Sequence, residues 1–372
     1  MEKRRNKIII ALVIITILIF GGYYIYSKDL LSNLFKEKVT TVTSKEVTVT
    51  DKGIADAVDK LYDATVIVEV GQNSSQISGW GSGFVYKTDS KYGYILTNHH
   101  VIEDARYVKV VSTNEEEVEG TILGSDKYVD VAVVRVPIDS VLKVASIGKS
   151  EELRLGDTVF TVGTPVSTNY SFTVTRGILS GKNRLCEMSS SNNQFYQYSQ
   201  ESWYINLLQI DATINGGNSG GPLANSNGEV VGITNSKLTS YYSSTTIENM
   251  AFAIPIEDAI NSAEQILEDG EVTRPLLGVT TAEVDEAVSA GLISKDNTKG
   301  AVIVKIIDDS VADKAGLEEG DIILKLGEYE VTNTKYLKYY LYRYNVGDTV
   351  KITYKRDGKV KTVDAKLTEE AK

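Results

Sequence analysis

The sequence predicts a mostly β protein of two consecutive folded units behind one membrane-spanning helix. Three observations carry that expectation. Short β-branched runs broken by Gly, Asn, Asp and Ser follow one another without helices between them. Glu268-Asp269-Gly270 then marks a boundary, beyond which about a hundred residues carry strands, helices and Gly turns of their own. Near the N-terminus an uncharged apolar run follows a basic cluster.

The length of 372 residues suits two or three structural units. Hydrophobic content of 42% with 24% charged residues is that of a globular chain able to bury a core. The formal charge of −11 argues against nucleic acid as a partner, because phosphate binding needs a basic face. Cys186 is the only cysteine, so no intrachain disulfide can form. His99, His100 and Cys186 leave little material for a zinc site. No metal and no cofactor is expected.

Residues 1–7 contain Lys3, Arg4, Arg5 and Lys7, and residues 8–26 form an uncharged, Ile/Leu/Val-rich run of 19 residues. As a helix this run spans roughly 28 Å, close to the hydrocarbon thickness of a bilayer. Gly21-Gly22-Tyr23-Tyr24 near its end suits an interface. A cleaved signal peptide normally has a shorter apolar region and a small-x-small site, which is not evident here. The reading is an uncleaved single-pass anchor at the cell membrane. Its basic tail lies in the cytoplasm and everything after Tyr26 lies outside. Residues 27–52, rich in Thr, Ser, Lys and Glu, read as a tether.

The first folded unit is expected over residues 53–268. It opens with a short amphipathic helix over residues 54–64 (IADAVDKLYDA). Strands follow at 65–70, 83–86, 94–97, 107–111, 131–136, 158–162 and 230–233, a spacing that indicates a barrel or sandwich. An amphipathic helix at 256–267 closes the unit. Residues 189–203 (SSSNNQFYQYSQESW) are low in aliphatics and read as a mobile insertion. The second unit is expected over 274–368, with strands at 301–306, 350–354 and 360–365. Its basic, aromatic stretch at 335–343 has Leu337, Leu341 and Tyr344 at helical spacing, and reads as a surface helix with solvated lysines. No internal repeat of fixed period is visible.

Gly217-Asn218-Ser219-Gly220-Gly221 is the sharpest chemical signal. A nucleophilic serine needs an exposed hydroxyl and nearby backbone N–H groups free to receive an oxyanion, and flanking glycines permit such a turn. The same residues fit the nucleophile elbow of α/β-hydrolases, but that chain order requires a histidine after the serine. None follows Ser219, whereas a chymotrypsin-like order of His, Asp, Ser can be supplied. By itself the motif also fits a glycine-rich surface turn.

A base at the end of an apolar strand is offered by His99 and His100, only one of which can point at the serine. The acid should sit beside apolar neighbours. Asp130, which opens the run Val131-Ala132-Val133-Val134, is favoured over Asp104 and Asp126.

Thr97-Asn98-His99-His100-Val101, Asp130-Val131-Ala132-Val133 and Gly217-Asn218-Ser219-Gly220-Gly221-Pro222-Leu223 together resemble the three catalytic blocks of the HtrA/DegP family. The resemblance covers most of the chain from about Ile54 onward. It implies a chymotrypsin-like double β-barrel with a triad of His100, Asp130 and Ser219, and leaves His99 at a variable position. It also implies an oxyanion hole made by the N–H groups of Gly217 and Ser219. The family usually has proline where this chain has Gly216, so a more mobile, less preformed loop is expected before the nucleophile. In a chymotrypsin-like barrel, Thr213 and the strand Gly232, Ile233, Thr234 and Asn235 would line the primary substrate pocket. No acidic residue is evident there, and the family implies small or medium apolar side chains.

Gly300-Ala301-Val302, Ala315-Gly316-Leu317 and Gly320-Asp321-Ile322-Ile323 resemble an α+β PDZ domain of the same family's arrangement. The carboxylate-binding loop would be Leu276-Leu277-Gly278-Val279, preceded by Arg274. There a glycine lets N–H groups converge on a peptide's C-terminus while a strand edge accepts the peptide. The family often has an aromatic residue where Leu276 stands. The whole resembles a membrane-anchored, DegS-like serine endopeptidase with one PDZ domain, acting in protein quality control and stress response. Polypeptides and C-terminal peptides are the implied partners, and a homotrimer the implied assembly. The rival reading from another class is a non-catalytic, membrane-tethered chaperone or sensor acting through the PDZ domain.

Overall fold

The computed structural model describes residues 14–24, 51–189, 202–236, 249–295 and 299–371. Residues 14–24 form helix α1, exposed along its length. The rest of the expected span, residues 8–13 and 25–26, lies outside the described residues, as do the basic tail and residues 27–50. Among the described residues no helix is long and apolar enough to cross a membrane.

Helix α2 (Asp51–Leu61) takes the last two residues of the expected tether. Ile54, Ala57 and Leu61, spaced along one helical face, are its buried positions. Strands β1 (Thr65–Asn73), β2 (Gln76–Thr88) and β3 (Tyr92–Thr97) follow, then helix α3 (His99–Ile102). With β4 (Tyr107–Val111), β5 (Glu117–Asp126) and β6 (Val131–Pro137) they close a barrel in the order β1-β2-β3-β6-β5-β4. A second barrel contains β7 (Thr158–Gly163), β8 (Thr173–Ser189), β9 (Ser202–Ile210), β10 (Pro222–Asn225), β11 (Val230–Asn235) and β12 (Ala251–Pro255). Its order, β7-β8-β9-β12-β11-β10, follows the same path as the first. The duplication is of topology alone, because each strand needs only a two-residue pattern and not a particular sequence.

Strand β6 shows how the barrels join. Ala132 and Val134 belong to the interior of the first barrel with Val68, Ile95 and Val110. Val131 and Val133 face the opposite way, into a central cluster with Phe84, Phe160, Ile205, Ile233 and Ile254. A strand buried on both faces reads as a continuous apolar run, which is why residues 131–134 carry no alternation. Helix α4 (Ile256–Asp269) sends Ile256, Ala259, Ala263 and Ile266 into the same cluster. It stops at Gly270, whose φ of +80° is the left-handed C-terminal conformation that glycine adopts freely, with its N–H on the Ile266 carbonyl at 2.9 Å.

Beyond Gly270 come β13 (Arg274–Leu276), β14 (Val279–Ala282), helix α5 (Val284–Ser289), β15 (Ala301–Ile306) and helix α6 (Val311–Lys314). They are followed by β16 (Ile322–Leu326), β17 (Tyr329–Glu330), helix α7 (Thr334–Leu341), β18 (Thr349–Arg356), β19 (Lys359–Lys366) and β20 (Glu369–Ala371). The sheet runs β14-β15-β16-β18-β19, with β17 on β16 and β13 paired to β20. Its own core contains Leu277, Ile303, Leu326, Leu337 and Ile352.

Two expectations are corrected. The insertion expected at 189–203 ends sooner, because Ser202 and Trp203 open β9. Trp203 is buried edge-on against Tyr128, with ring centroids 5.4 Å apart. Residues 190–201 lie outside the described residues. The stretch at 335–343 does contain a helix, α7, but not one that only faces solvent. Tyr339 is buried and its hydroxyl donates to Asp258 at 2.8 Å, while Arg343 Nε stands 3.3 Å from the same carboxylate. Tyrosines carry enough apolar ring to pack against α4 while their hydroxyls satisfy a buried acid.

Candidate active site

The end of β3 and the turn before β6 bring His100 and Asp130 together. Asn98 is fully buried, and its side chain donates to the Asp130 carbonyl at 2.8 Å. Asp130 itself sits at φ +61°, a left-handed conformation that Asp tolerates better than most residues. Its carboxylate faces α3. One oxygen accepts the His100 backbone N–H at 2.9 Å, and the other lies 2.7 Å from His100 Nδ1. The carboxylate can only accept, so Nδ1 carries the proton and Nε2 is left as the basic nitrogen. Asn235, at the end of β11, donates to the same carboxylate oxygen at 2.6 Å. Burial by itself would push the Asp130 carboxyl up. Electrostatic attraction to His100 and the hydrogen bonds from His100 and Asn235 outweigh burial and hold it below the usual carboxylate range.

His99 points elsewhere. Its Nδ1 is 2.8 Å from Ser125 Oγ, and its Nε2 is 3.8 Å from Glu103. Of the other acids weighed, Asp126 is buried in an ion pair with Arg274. Asp104 is exposed in the segment after α3.

The Ser219 loop consists of two successive tight turns. Asn218 N–H donates to the Asn215 carbonyl and Gly221 N–H to the Asn218 carbonyl, each at 3.0 Å. Gly217 and Gly220 occupy the third positions at φ +99° and +87°. That position of a type II turn demands positive φ, so glycine is required at both. A Cβ on Gly217 would land on the Thr164 carbonyl, and one on Gly220 on the Ser82 carbonyl. The loop is anchored to the first barrel through Ser82, which is fully buried. Its hydroxyl donates to the Gly217 carbonyl at 2.8 Å, and its N–H donates to the Ser219 carbonyl at 2.8 Å.

A second anchor fixes the peptide plane before Gly217. The Gly216 carbonyl accepts the Val166 N–H at 2.8 Å. Val166 is at φ +64°, an uncommon conformation for a β-branched residue, so this contact is held against local strain. With the carbonyl drawn to Val166, the trans peptide turns the Gly217 N–H to the opposite side. Among the described residues, neither that N–H nor the Ser219 N–H donates to a protein acceptor. In this conformation the turn at Gly216 is closed by the Asn218 N–H on the Asn215 carbonyl. The Ser219 hydroxyl is 2.6 Å from Ser236 Oγ and accepts the Ser236 N–H at 3.1 Å. Among the described residues, its hydrogen bonds go to Ser236 and not to His100.

The residues expected at the substrate pocket occupy different surroundings. Ile233 is fully buried in the central cluster. Thr234 Oγ1 donates to the Asn218 carbonyl at 2.6 Å, and Gly232 is paired between β10 and β12. Asn235 holds Asp130. All four lie on β11, a strand in the middle of a closed barrel with both edges paired. Thr213 is exposed, and its carbonyl accepts Thr175 Oγ1 at 2.9 Å.

The carboxylate-loop set is also divided. Arg274 is 1% exposed and pairs with Asp126, so it lies at the junction with the first barrel and not at a peptide groove. Leu277 is a core residue of the C-terminal sheet. Leu276 is exposed, Gly278 turns the chain at φ +74°, and Val279 is half-buried at the start of β14. Strand β14 is the edge of its sheet. At its far end, Glu283 accepts the Thr334 N–H at 3.2 Å and so ties the edge strand to α7.

Sequence reasoning gave no task to Ser82, Val166 and Ser236, none to Asn98 within its motif, and did not find the contact of Asn235 with Asp130. Only Ser82 carries a signal, since it lies among three glycines in Gly79-Trp80-Gly81-Ser82-Gly83. Such spacing marks close backbone approach, and a Cβ on Gly81 would meet Val101 and the Ser219 carbonyl.

Comparison with known proteins gives a consistent picture. The trypsin-like peptidase domain family matches residues 81–233, and the PDZ domain family matches residues 275–367. The chain is 37% identical over 298 residues to the serine protease Do-like HtrA of Lactococcus lactis subsp. lactis, covering 79% of this chain and 71% of that protein. It is 37% identical over 338 residues to the serine protease Do-like HtrB of Bacillus subtilis, covering 85% of this chain and 71% of that one. Among solved structures, the HtrA-type protease AlgW with tripeptide superposes with a TM-score of 0.64 at 27% identity, over 85% of this chain and 96% of that chain. A serine endoprotease from Yersinia pestis superposes with a TM-score of 0.59 at 31% identity, over 86% of this chain and 98% of that chain.

Proposed function

Because this chain belongs to the HtrA/DegP family of serine proteases and is a serine endopeptidase with one PDZ domain, we propose that His100, Asp130 and Ser219 carry its chemistry. The observation that supports this best is the His100–Asp130 pair, 2.7 Å apart, linked through the neighbouring Asn235 and Ser236 to a serine loop whose Gly217 and Ser219 N–H groups donate to no protein acceptor among the described residues. In the proposed cycle Ser219 Oγ leaves Ser236 and attacks the carbonyl carbon of the scissile bond. Its proton passes to His100 Nε2, and Asp130 steadies the resulting imidazolium through Nδ1–H. The negative charge that develops on the carbonyl oxygen is received by the N–H groups of Gly217 and Ser219. His100 then returns the proton to the leaving amine, and water releases the acyl group by the same steps in reverse order of roles.

Substrates are polypeptides, misfolded or specific extracytoplasmic proteins. The C-terminal domain takes peptide C-termini as an added strand on β14, with Leu276, Gly278 and Val279 at the carboxylate end. The basic cluster and apolar run at residues 1–26 support a single-pass anchor with both domains outside the cytoplasm. Relatives named periplasmic DegP-like endoproteases accord with that side of the membrane. A homotrimer and a role in stress response complete the reading by kinship.

The test is turnover of an unfolded protein such as casein by the membrane-bound chain, with Ser219→Ala as control. Cleavage lost in the variant supports the assignment; equal cleavage by the variant refutes it. Retention in membranes after carbonate washing tests the anchor, and recovery of a soluble form starting near residues 23–28 contradicts it.

A further inference from the structure

Asn235, the last residue of β11, and Ser236, which follows it, touch the two ends of the proposed triad. Asn235 donates to the Asp130 carboxylate at 2.6 Å. Ser236 holds the Ser219 hydroxyl twice, through its own hydroxyl at 2.6 Å and its backbone N–H at 3.1 Å. The remaining machinery is assembled around this contact: His100 is on Asp130, and the Gly217 turn is closed by Val166 and Ser82. The nucleophile alone is out of place.

We propose that Ser236 is a latch on the nucleophile, a positioning residue that stores the Ser219 hydroxyl away from His100 until substrate occupies the site. The inference rests on Ser219 being the nucleophile. Its physical basis is a competition for one oxygen. A hydroxyl that accepts an N–H and shares a second hydrogen bond with another hydroxyl has two of its three hydrogen-bonding positions engaged, either one lone pair and the proton or both lone pairs. To attack a carbonyl it must give up those bonds and present its proton to Nε2 of His100. The latch therefore adds the cost of two hydrogen bonds to the first chemical step, and leaves the His100–Asp130 pair and the oxyanion turn undisturbed. Because Asn235 and Ser236 are neighbours, any shift of the end of β11 that frees Ser219 also changes the grip on Asp130. Release of the nucleophile and orientation of the base are thus governed by the same short piece of chain.

The experiment is the second-order rate of Ser219 labelling by a small fluorophosphonate, which carries no peptide backbone, measured on the full chain. Ser236→Ala removes the hydroxyl contact. It is expected to label faster by about fivefold, the factor that one neutral hydrogen bond corresponds to. Ser236→Thr keeps the hydroxyl and is expected to label at the wild-type rate, an outcome that a general packing role would not give. Ser236→Pro also removes the N–H and is expected to label faster still, and thermal unfolding of each variant confirms that it is folded. Slower or unchanged labelling of folded Ser236→Ala overturns the latch, as does acceleration of Ser236→Thr equal to that of Ser236→Ala. Absence of labelling at Ser219 in the wild type and in every variant would instead remove the nucleophile assignment on which the latch stands.

Discussion

Arg274, the first residue of β13, forms a buried ion pair with Asp126 at the end of β5, 148 residues earlier in the chain. Asp126 also accepts the Ser262 hydroxyl at 2.6 Å from α4, and Arg274 donates to the Tyr342 carbonyl at 2.7 Å. The pair therefore joins the first barrel, the closing helix and the C-terminal sheet at one point. Removing one partner leaves the other charge buried and alone. Arg274→Ala is expected to cost about 3–5 kcal/mol in unfolding free energy. Asp126→Ala combined with Arg274→Ala should cost less than the sum of the two. Urea unfolding checks both, and a single variant within about 0.5 kcal/mol of wild type would show that the pair is not holding the junction.

Asp130 is held below its usual range by His100 and Asn235, so its charged form is favoured on folding. A depressed carboxylate contributes stability that is complete above its ordinary value of 3.8 and is lost as pH falls through the lower folded value. The stability advantage of wild type over Asp130→Asn should therefore shrink as pH is lowered below that ordinary value. Near neutral pH the same variant presents the wrong hydrogen-bonding partner to Nδ1, and turnover should fall by about 10⁴. A stability difference that grows on acidification would contradict the assigned sign.

The two adjacent histidines should separate cleanly. His100→Ala is expected to reduce kcat by on the order of 10⁴ or more, and to add little when combined with Ser219→Ala, because the residues act as a unit. His99→Ala loses only contacts to Ser125 and Glu103 and should stay within a few-fold of wild type. Comparable losses in the two single variants would mean that the base has been misassigned.

Gly216 and Gly217 look alike in sequence and should behave oppositely. Gly216 is outside the left-handed region and a Cβ there meets open space, whereas Gly217 is at φ +99° with the Thr164 carbonyl in the way. Gly216→Pro places proline at the second position of a type II turn, where it is favoured. It should stabilise the protein by about 0.4–1 kcal/mol with kcat/KM equal to or above wild type. Gly217→Ala should abolish most turnover. If Gly216→Pro lost activity as Gly217→Ala does, the turn would need a freedom at Gly216 that this structure does not assign to it.

Much of this architecture can be read from local pattern. The strands around residues 65–70, 94–97 and 131–136 are visible because β-branched runs end at turn residues. Ser219, His100 and Asp130 are visible because each sits in a short motif. The supports are not. Val166 acts through its backbone N–H, which every residue but proline has, and Ser236 through an N–H and a hydroxyl that any serine carries, so neither residue type advertises its place. Asn235 ends a buried strand, and its contact with Asp130 depends on the closure of the second barrel, which no local pattern encodes. Arg274 precedes a glycine-containing loop, where a cation would suit a peptide carboxylate. Its pairing with Asp126 depends on how the C-terminal sheet meets α4 and β5, which no local pattern encodes.

The central claim is that Ser219 is the nucleophile and His100 its base. It is tested most directly by exposing the full chain to a fluorophosphonate and locating the covalent adduct by peptide mass spectrometry. The account predicts one adduct, on Ser219, formed at a comparable rate in His99→Ala, lost in Ser219→Ala and nearly lost in His100→Ala. An adduct on another residue, or labelling of His100→Ala at the wild-type rate, would contradict it.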